Sequence, residues 1–122
     1  MTQLNEAVRE FGEKMGLKGL DVPEKGSRAL NFEKKGILSF ERKPGGVLIN
    51  LIRQHPQLYE NTYQKALSLS HSGIHSIFNV TAATKGDNIL IFSAFIEEYD
   101  ISYQNIHMVF DHLINLHQQV MA

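Results

Sequence analysis

The sequence predicts an α+β domain in which helices pack against a twisted antiparallel sheet, in the order α-β-β-β-α-β-β-α. Three observations predict it. Apolar residues recur at helical spacing near both ends of the chain, three short strand-like runs follow one another with compact polar turns, and two more follow a second helical segment. With 122 residues, 43% of them hydrophobic, the chain fits one domain over residues 1–122 with one hydrophobic core.

The first helix is predicted over residues 2–15. Four apolar residues recur there at a spacing of three or four, and they are Leu4, Val8, Phe11 and Met15. Gly16 then offers a C-terminal stop. A loop over residues 17–26, with two glycines and a proline, follows the helix. Three apolar side chains of this loop are expected to tuck under the core: Leu17, Leu20 and Val22.

A meander of three strands is predicted next, over residues 27–32, 37–43 and 46–53. The turns between them are rich in lysine, proline and glycine. The third strand is a nearly continuous apolar run, so we expect it to be covered on both faces.

The second half of the chain predicts a helix over residues 58–70, strands over 74–82 and 88–96, and a closing helix over 103–120. The loop between the two strands is predicted at residues 83–87. The run NILIFSAFI is the most apolar in the chain and is expected to form a central strand. Ser102 can cap the closing helix.

Composition excludes several function classes. The formal net charge is −1, so neither nucleic acid nor an anionic membrane is an expected partner. Without cysteine there is no disulfide, thiolate nucleophile or cysteine-based metal site. No apolar run approaches the ~20 residues that cross a bilayer, and the N-terminus lacks the apolar stretch of a signal peptide. We therefore expect a cytoplasmic protein that does not insert into membranes.

Charged side chains are distributed unevenly along the chain. Positive charge is in slight excess in the first half, where Arg42, Lys43 and Arg53 are candidates to meet acidic groups on a partner. The simpler alternative is ordinary solvated surface. The carboxylates at residues 97–100 are interpreted as a solvated strand exit rather than as an acid–base pair.

Neither a catalytic nor a cofactor motif is found. The phosphate-binding glycine loops, the nucleophile elbow and the zinc-protease helix are absent from the sequence. His71 and His75 share a face only if both lie on a helix, and Gly73 separates them. His107, His112 and His117 are five residues apart, so each is rotated by about 140° from the last on a helix. They cannot converge on one ion, and we expect them at the surface or the edge of the core. The chain is thus predicted to have no catalytic residue, no metal site and no cofactor.

The second helix has an aromatic and small-residue face. This face consists of Tyr59, Tyr63, Ala66, Leu67 and Ser70. Such a stripe is typical of core packing, but tyrosine is also enriched at protein interfaces. Core packing and a dimer contact both remain open for these five residues.

Several stretches resemble the small type III secretion chaperones that serve effector proteins, the class I family that includes the Tir chaperone. FGEKMGLKGLDVPEKG resembles the first helix and following loop of that family, and ALNFEKKGILSFERK resembles its two-strand hairpin. NILIFSAFIEEYDISYQNIHMVFDHLINLHQQV resembles its last strand, acidic exit and closing helix. The resemblance covers residues 2–120 and rests on hydrophobic pattern and length.

This resemblance implies a non-catalytic homodimer that binds an extended N-terminal segment of a secreted effector. The effector would stay soluble and would be delivered to an export ATPase. The alternative hypotheses are a dimeric adaptor or regulatory domain, and a small enzyme or ligand-binding domain. If the chaperone hypothesis holds, cargo should add to a sheet edge beside shallow apolar pockets. Seven apolar residues are candidates for that surface: Leu4, Val8, Phe11, Leu30, Phe32, Leu38 and Phe40. For each of them, the core is the other expectation.

Overall fold

A computed structural model describes residues 2–17, 19–22, 27–32, 35–55, 64, 80–86 and 88–121. The described elements are α1 (Thr2–Lys14), β1 (Ser27–Phe32), β2 (Gly36–Lys43), β3 (Gly46–Gln54), β4 (Val80–Lys85), β5 (Ile89–Glu97) and α2 (Tyr103–Met121), with a 3₁₀ turn at Glu98–Asp100. The strands form one sheet in the order β1-β2-β3-β5-β4, and every neighbouring pair is antiparallel. The predicted α+β class is confirmed.

The core lies between one face of the sheet and the two helices. Because side chains alternate along a strand, every second residue of β2, β3 and β5 faces the helices. The buried residues on this face of the sheet are Leu38, Phe40, Val47, Ile49, Leu51, Leu90, Phe92, Ala94 and Ile96. The helices contribute Leu4, Val8 and Phe11 from α1 and Ile106, Val109, Phe110 and Leu113 from α2. The residues of each helix recur at helical spacing, as the sequence predicts.

The loop after α1 is fixed to both the helix and the sheet. The backbone N–H of Val22 donates to the side chain of Asn5 at 3.0 Å, and the Arg42 guanidinium donates to the carbonyl of Val22 at 2.9 and 3.2 Å. Leu20 and Val22 are buried, as predicted. The prediction was wrong for Leu17, which is 37% exposed because it directly follows the turn at Gly16.

The opposite face of the sheet is amphipathic. Ser93 donates a hydrogen bond of 2.5 Å to the side chain of Asn50, which is buried. Around this pair the apolar residues are half-buried, and they include Leu48, Ile52, Ile91 and Phe95. Both faces of β3 are thus at least partly covered, as its continuous apolar run indicates, and β5 lies in the interior of the sheet.

Parts of the predicted second half lie outside the described residues, and its predicted loop differs from the structure. The predicted helix over residues 58–70 lies outside the described residues, apart from residue 64, and so does most of the predicted strand over 74–82. The loop predicted at 83–87 was wrong, because β4 continues to Lys85, which pairs with Ile89. The tight turn is centred on Gly86, whose φ of 67° suits glycine.

The closing helix begins where the sequence predicts. The hydroxyl of Ser102 accepts a hydrogen bond of 3.1 Å from the backbone N–H of Asn105, which is an N-cap. In the part of the chain that the structure describes, no helix is both long and apolar enough to cross a membrane.

Candidate binding surface at the β1 edge

The seven candidate effector-binding residues fall into two groups. Five of them are fully buried in the core: Leu4, Val8, Phe11, Leu38 and Phe40. Leu30 and Phe32, on β1, are half-buried and pack against that core from the edge of the sheet. In this conformation only the two β1 residues offer side-chain surface to a partner.

An aromatic cluster explains the burial of the first group. The Phe11 ring meets the edges or faces of Phe40 and Phe110 at centroid distances of 6.1 and 5.6 Å, and Phe32 lies 5.1 Å from Phe110. Such edge-to-face pairs add to the free energy of burial. The cluster joins α1, β1, β2 and α2, so these rings hold the helices on the sheet.

The β1 strand is an edge of the sheet. Among the described strands it pairs only with β2, from Ser27 opposite Glu41 to Phe32 opposite Gly36. The other side of its backbone therefore has hydrogen-bonding groups that no described strand satisfies, and such an edge can accept a further strand. Arg28 anchors the start of β1 by donating to the carbonyl and the carboxylate of Asp21, each at 3.0 Å.

A shallow groove of about 460 Å³ lies on the opposite face of the sheet, beside the end of β1. Its apolar lining is Ile37, Ile52 and Ile89, and its polar lining includes Asn31, Arg53 and Gln54. Ile37 is 39% exposed, so an aliphatic side chain of this groove is open to solvent. The β1 edge thus has accessible apolar surface on both faces: Leu30 and Phe32 on one, the groove on the other.

The three candidate cations differ in their surroundings. The Arg42 guanidinium is bound to the carbonyl of Val22, and Lys43 lies 3.4 Å from the Glu41 carboxylate at the surface. Arg53 is half-buried, and among the described residues no carboxylate lies within ion-pair distance of it. Its side chain has the same parity as Leu51, so it faces the helices rather than the groove. The carboxylates of Glu97, Glu98 and Asp100 are exposed, as a solvated strand exit predicts.

The histidines of α2 have different environments. His107 lies 3.3 Å from the Asp111 carboxylate at the surface, and His112 is half-buried, with its pKa lowered by burial. The expectation of a surface or core-edge position was wrong for His117, which is fully buried. Among the described residues, no group of three or more His, Asp or Glu side chains could hold a metal ion.

His117 forms a pair that the sequence analysis missed. Its Nδ1 lies 3.0 Å from Nε2 of His55, which is also buried, and its Nε2 lies 2.9 Å from the carbonyl oxygen of Leu51. A signal was present: residue 117 comes four residues after Leu113 and three before Val120, both on the apolar stripe of α2. His55, which follows the polar residues Arg53 and Gln54 directly after β3, had no comparable signal.

The candidate dimer residues on the predicted second helix lie outside the described residues. Those residues are Tyr59, Tyr63, Ala66, Leu67 and Ser70. A role in a dimer contact stays a prediction for all five.

Several solved structures share this fold. A chain of the ExsC–ExsE complex superimposes with a TM-score of 0.74 at 14% identity, over 93% of this chain and 87% of that chain. A chain of the HopA1–SchA chaperone–effector complex gives 0.72 at 12% identity, over 100% and 98%. A chain of the ExoU–SpcU complex from the type III secretion system of Pseudomonas aeruginosa gives 0.65 at 18% identity, over 93% of each chain. These likenesses define the class of fold.

The sequence itself identifies the family. Residues 3–121 match the family described as type III secretory system chaperone SycN. The chain belongs to this family, which confirms the resemblance seen in its local sequences. No curated protein sequence matches the chain significantly.

Proposed function

We propose that this protein is a non-catalytic chaperone that binds an extended N-terminal segment of a type III secreted effector and keeps that effector soluble and competent for export. Membership of a type III chaperone family supports the proposal. The observation that carries it is the β1 edge, whose outer backbone pairs with no described strand and lies between two accessible apolar surfaces. A binding module needs such an edge, whereas an enzyme needs convergent catalytic groups.

The geometry of β1 suits a segment that adds as a sixth strand. Side chains of an added strand would alternate between the two faces of the sheet. One set would meet Leu30 and Phe32 on the helix face, and the other would pack over Asn31 at the β1 end of the groove, with Ile37 one strand further in. The backbone would supply hydrogen bonds, and the apolar contacts would supply preference for particular side chains.

The other edge of the sheet is a poorer receptor. The exposed residues of both edge strands are polar or small, but the half-buried apolar residues of β4 are only Val80 and Ala82, whereas β1 has Leu30 and Phe32. A lysine on an edge strand is also a common protection against pairing. The β1 edge is therefore the proposed site for cargo.

The groove is shallow, and its apolar lining is aliphatic, with Ile37, Ile52 and Ile89. An extended segment must lose conformational entropy on binding, so affinity should come from a long contact surface rather than from one deep pocket.

Cargo capture tests the proposal. The tagged protein is purified from its native bacterium, and the proteins that accompany it are identified by mass spectrometry. Ile37→Glu places a carboxylate in the groove, and Met108→Glu is the matched control, because Met108 is another exposed apolar residue but lies on α2.

We expect a secreted protein to accompany the wild type and Met108→Glu but to be lost from Ile37→Glu, with an unchanged circular dichroism spectrum. Retention of the secreted protein by Ile37→Glu would contradict the site. A partner that is not exported would favour the adaptor hypothesis instead.

Three finer features belong to the same proposal. The chaperone would act in the bacterial cytoplasm as a homodimer, and it would present its effector to the export ATPase. An effector-binding role for Leu4, Val8, Phe11, Leu38 and Phe40 stays a prediction, and it requires a conformation in which these side chains leave the core.

A further inference from the structure

Two buried histidines lie where the end of β3 meets the C-terminal half of α2. His55 is 4% exposed and His117 is fully buried, and their rings stack with an interplanar angle of 19°. The edge of the His117 ring also meets Phe92 of β5 at a centroid distance of 4.8 Å. The backbone N–H of His55 donates to the carbonyl of Asn88, just before β5 begins. The pair therefore contacts three separate elements.

The hydrogen bonds specify one protonation state. The carbonyl of Leu51 can only accept, so Nε2 of His117 carries a proton and donates to it. In a neutral ring Nδ1 is then an acceptor, and Nε2 of His55 must donate to it at 3.0 Å. Both rings are neutral in this arrangement.

A further proton on either ring is unfavourable, because it either breaks the hydrogen bond between the rings or adds a buried positive charge. On Nδ1 of His117 it would face the N–H of His55 and end the hydrogen bond. On Nδ1 of His55 it would leave that bond intact but add a buried positive charge near Arg53. Among the described residues, neither ring has a carboxylate within ion-pair distance. An unpaired buried charge is costly.

We propose that His55 and His117 form a proton-sensitive clasp, which holds the C-terminal half of α2 on the end of β3 at neutral pH and releases it in mild acid. Beyond the proposed chaperone function, the clasp would couple local opening of the molecule to pH. The aromatic cluster around Phe11 includes one histidine, His107, whose ring lies 6.4 Å from that of Phe11, but no buried histidine pair among the described residues.

The groups around the pair determine the direction in which the pKa values of both histidines shift. Burial lowers the pKa of His117 to about 4, with a smaller opposing effect of the hydrogen bond to Leu51 and further lowering by His55 and Arg53. Burial and Arg53 lower the pKa of His55 as well. From β5 the pair meets Phe92 and Asn88, which do not titrate. The nearest other histidine on α2 is His112, whose ring lies about 140° further round the helix.

The lowered pKa values determine how opening of the clasp depends on pH. The ordinary histidine pKa is 6.5, so the open form binds protons below that pH while the closed form does not until about pH 4 in the case of His117. The clasp is fully effective above pH 6.5. Below it, the opening equilibrium constant rises about tenfold per pH unit for each histidine that titrates only in the open form.

Amide hydrogen exchange between pH 7.0 and 5.0 tests the clasp. After correction for intrinsic exchange, we expect the opening constant of amides in the last two turns of α2 to rise by about tenfold to a hundredfold per pH unit in the wild type. His117→Gln should flatten this dependence by about tenfold per pH unit. His107→Gln, the matched control at a half-buried histidine of the same helix outside the pair, should keep the wild-type dependence. Equal dependence in His117→Gln and wild type would overturn the proposal.

A measurement on the wild type tests the clasp even if the His117→Gln variant does not fold. Nitrogen-15 NMR of the histidine side chains at pH 6.0 should show His117 neutral with its proton on Nε2. A charged His117 at pH 6.0, or the Nδ1–H tautomer, would equally overturn the clasp.

Discussion

Phe11 contacts rings on two other elements, and it shows how single residues hold this fold together. It packs against Phe40 on β2 and Phe110 on α2, and all three are fully buried. Removal of one ring leaves a cavity that the others cannot fill by small movements, because protein interiors are close-packed. The cluster is thus where truncation should affect stability most.

Phe40→Ala is expected to lower the free energy of unfolding by about 3–5 kcal/mol, from lost burial and the remaining cavity. Urea unfolding followed by circular dichroism measures the change. Met108→Ala, at an exposed apolar residue, should change stability by no more than about 0.5 kcal/mol. Similar small effects for both variants would show that Phe40 is not part of the core.

At the scale of residues, the sequence predicts which side chains share a face but not which of them are covered. Leu30 and Leu38 are directly opposite each other on neighbouring strands and point to the same side of the sheet. Leu38 is buried and Leu30 half-buried because β1 is the edge and β2 is not. Strand order arises from pairing between distant parts of the chain, so alternation within one strand cannot reveal it.

At the scale of elements, the turns of the meander depend on two glycines with positive φ. Gly36 has a φ of 109°, and a Cβ atom there would collide with the carbonyl oxygen of Ile52 on β3. Gly45 has a φ of 85°, and nothing lies within 4 Å of an added Cβ. The two positions therefore separate the cost of backbone strain from the cost of a collision.

Gly45→Ala is expected to lower the free energy of unfolding by about 1–2 kcal/mol through backbone strain alone. Gly36→Ala should lower it by roughly twice as much or more, because the hairpin must also move away from β3. Thermal and urea unfolding of the two variants make the comparison. Equal losses would indicate that β2 and β3 separate at no measurable cost.

Elements were predictable where a local signal marks their ends. Gly16 and Ser102 mark the end of α1 and the start of α2, and both boundaries were predicted within one residue. The end of β4 was mispredicted because Ala83 and Lys85 are poor strand formers, and pairing with β5 determines their conformation. The histidine pair joins β3 to α2 across 62 positions, so it could not be found by local reasoning.

At the scale of the whole molecule, the family resemblance predicts a homodimer, and the aromatic face of the predicted second helix is its candidate contact. Two chains of 13.8 kDa give about 28 kDa, and a two-fold symmetric contact is the commonest arrangement. Light scattering coupled to size exclusion should give that mass at tens of micromolar protein. Tyr63→Asp should weaken the dimer, because an unpaired carboxylate is costly to bury. A strict monomer would contradict the homodimer.

The central claim is that cargo adds as a strand along β1, and amide hydrogen exchange of the chaperone with and without its co-purified secreted protein tests it most directly. We expect bound cargo to slow exchange at residues 27–32 by at least tenfold, because new backbone hydrogen bonds form along that edge, while the amides of β4 gain less protection. Unchanged exchange along β1, with protection confined to other elements, would contradict the account.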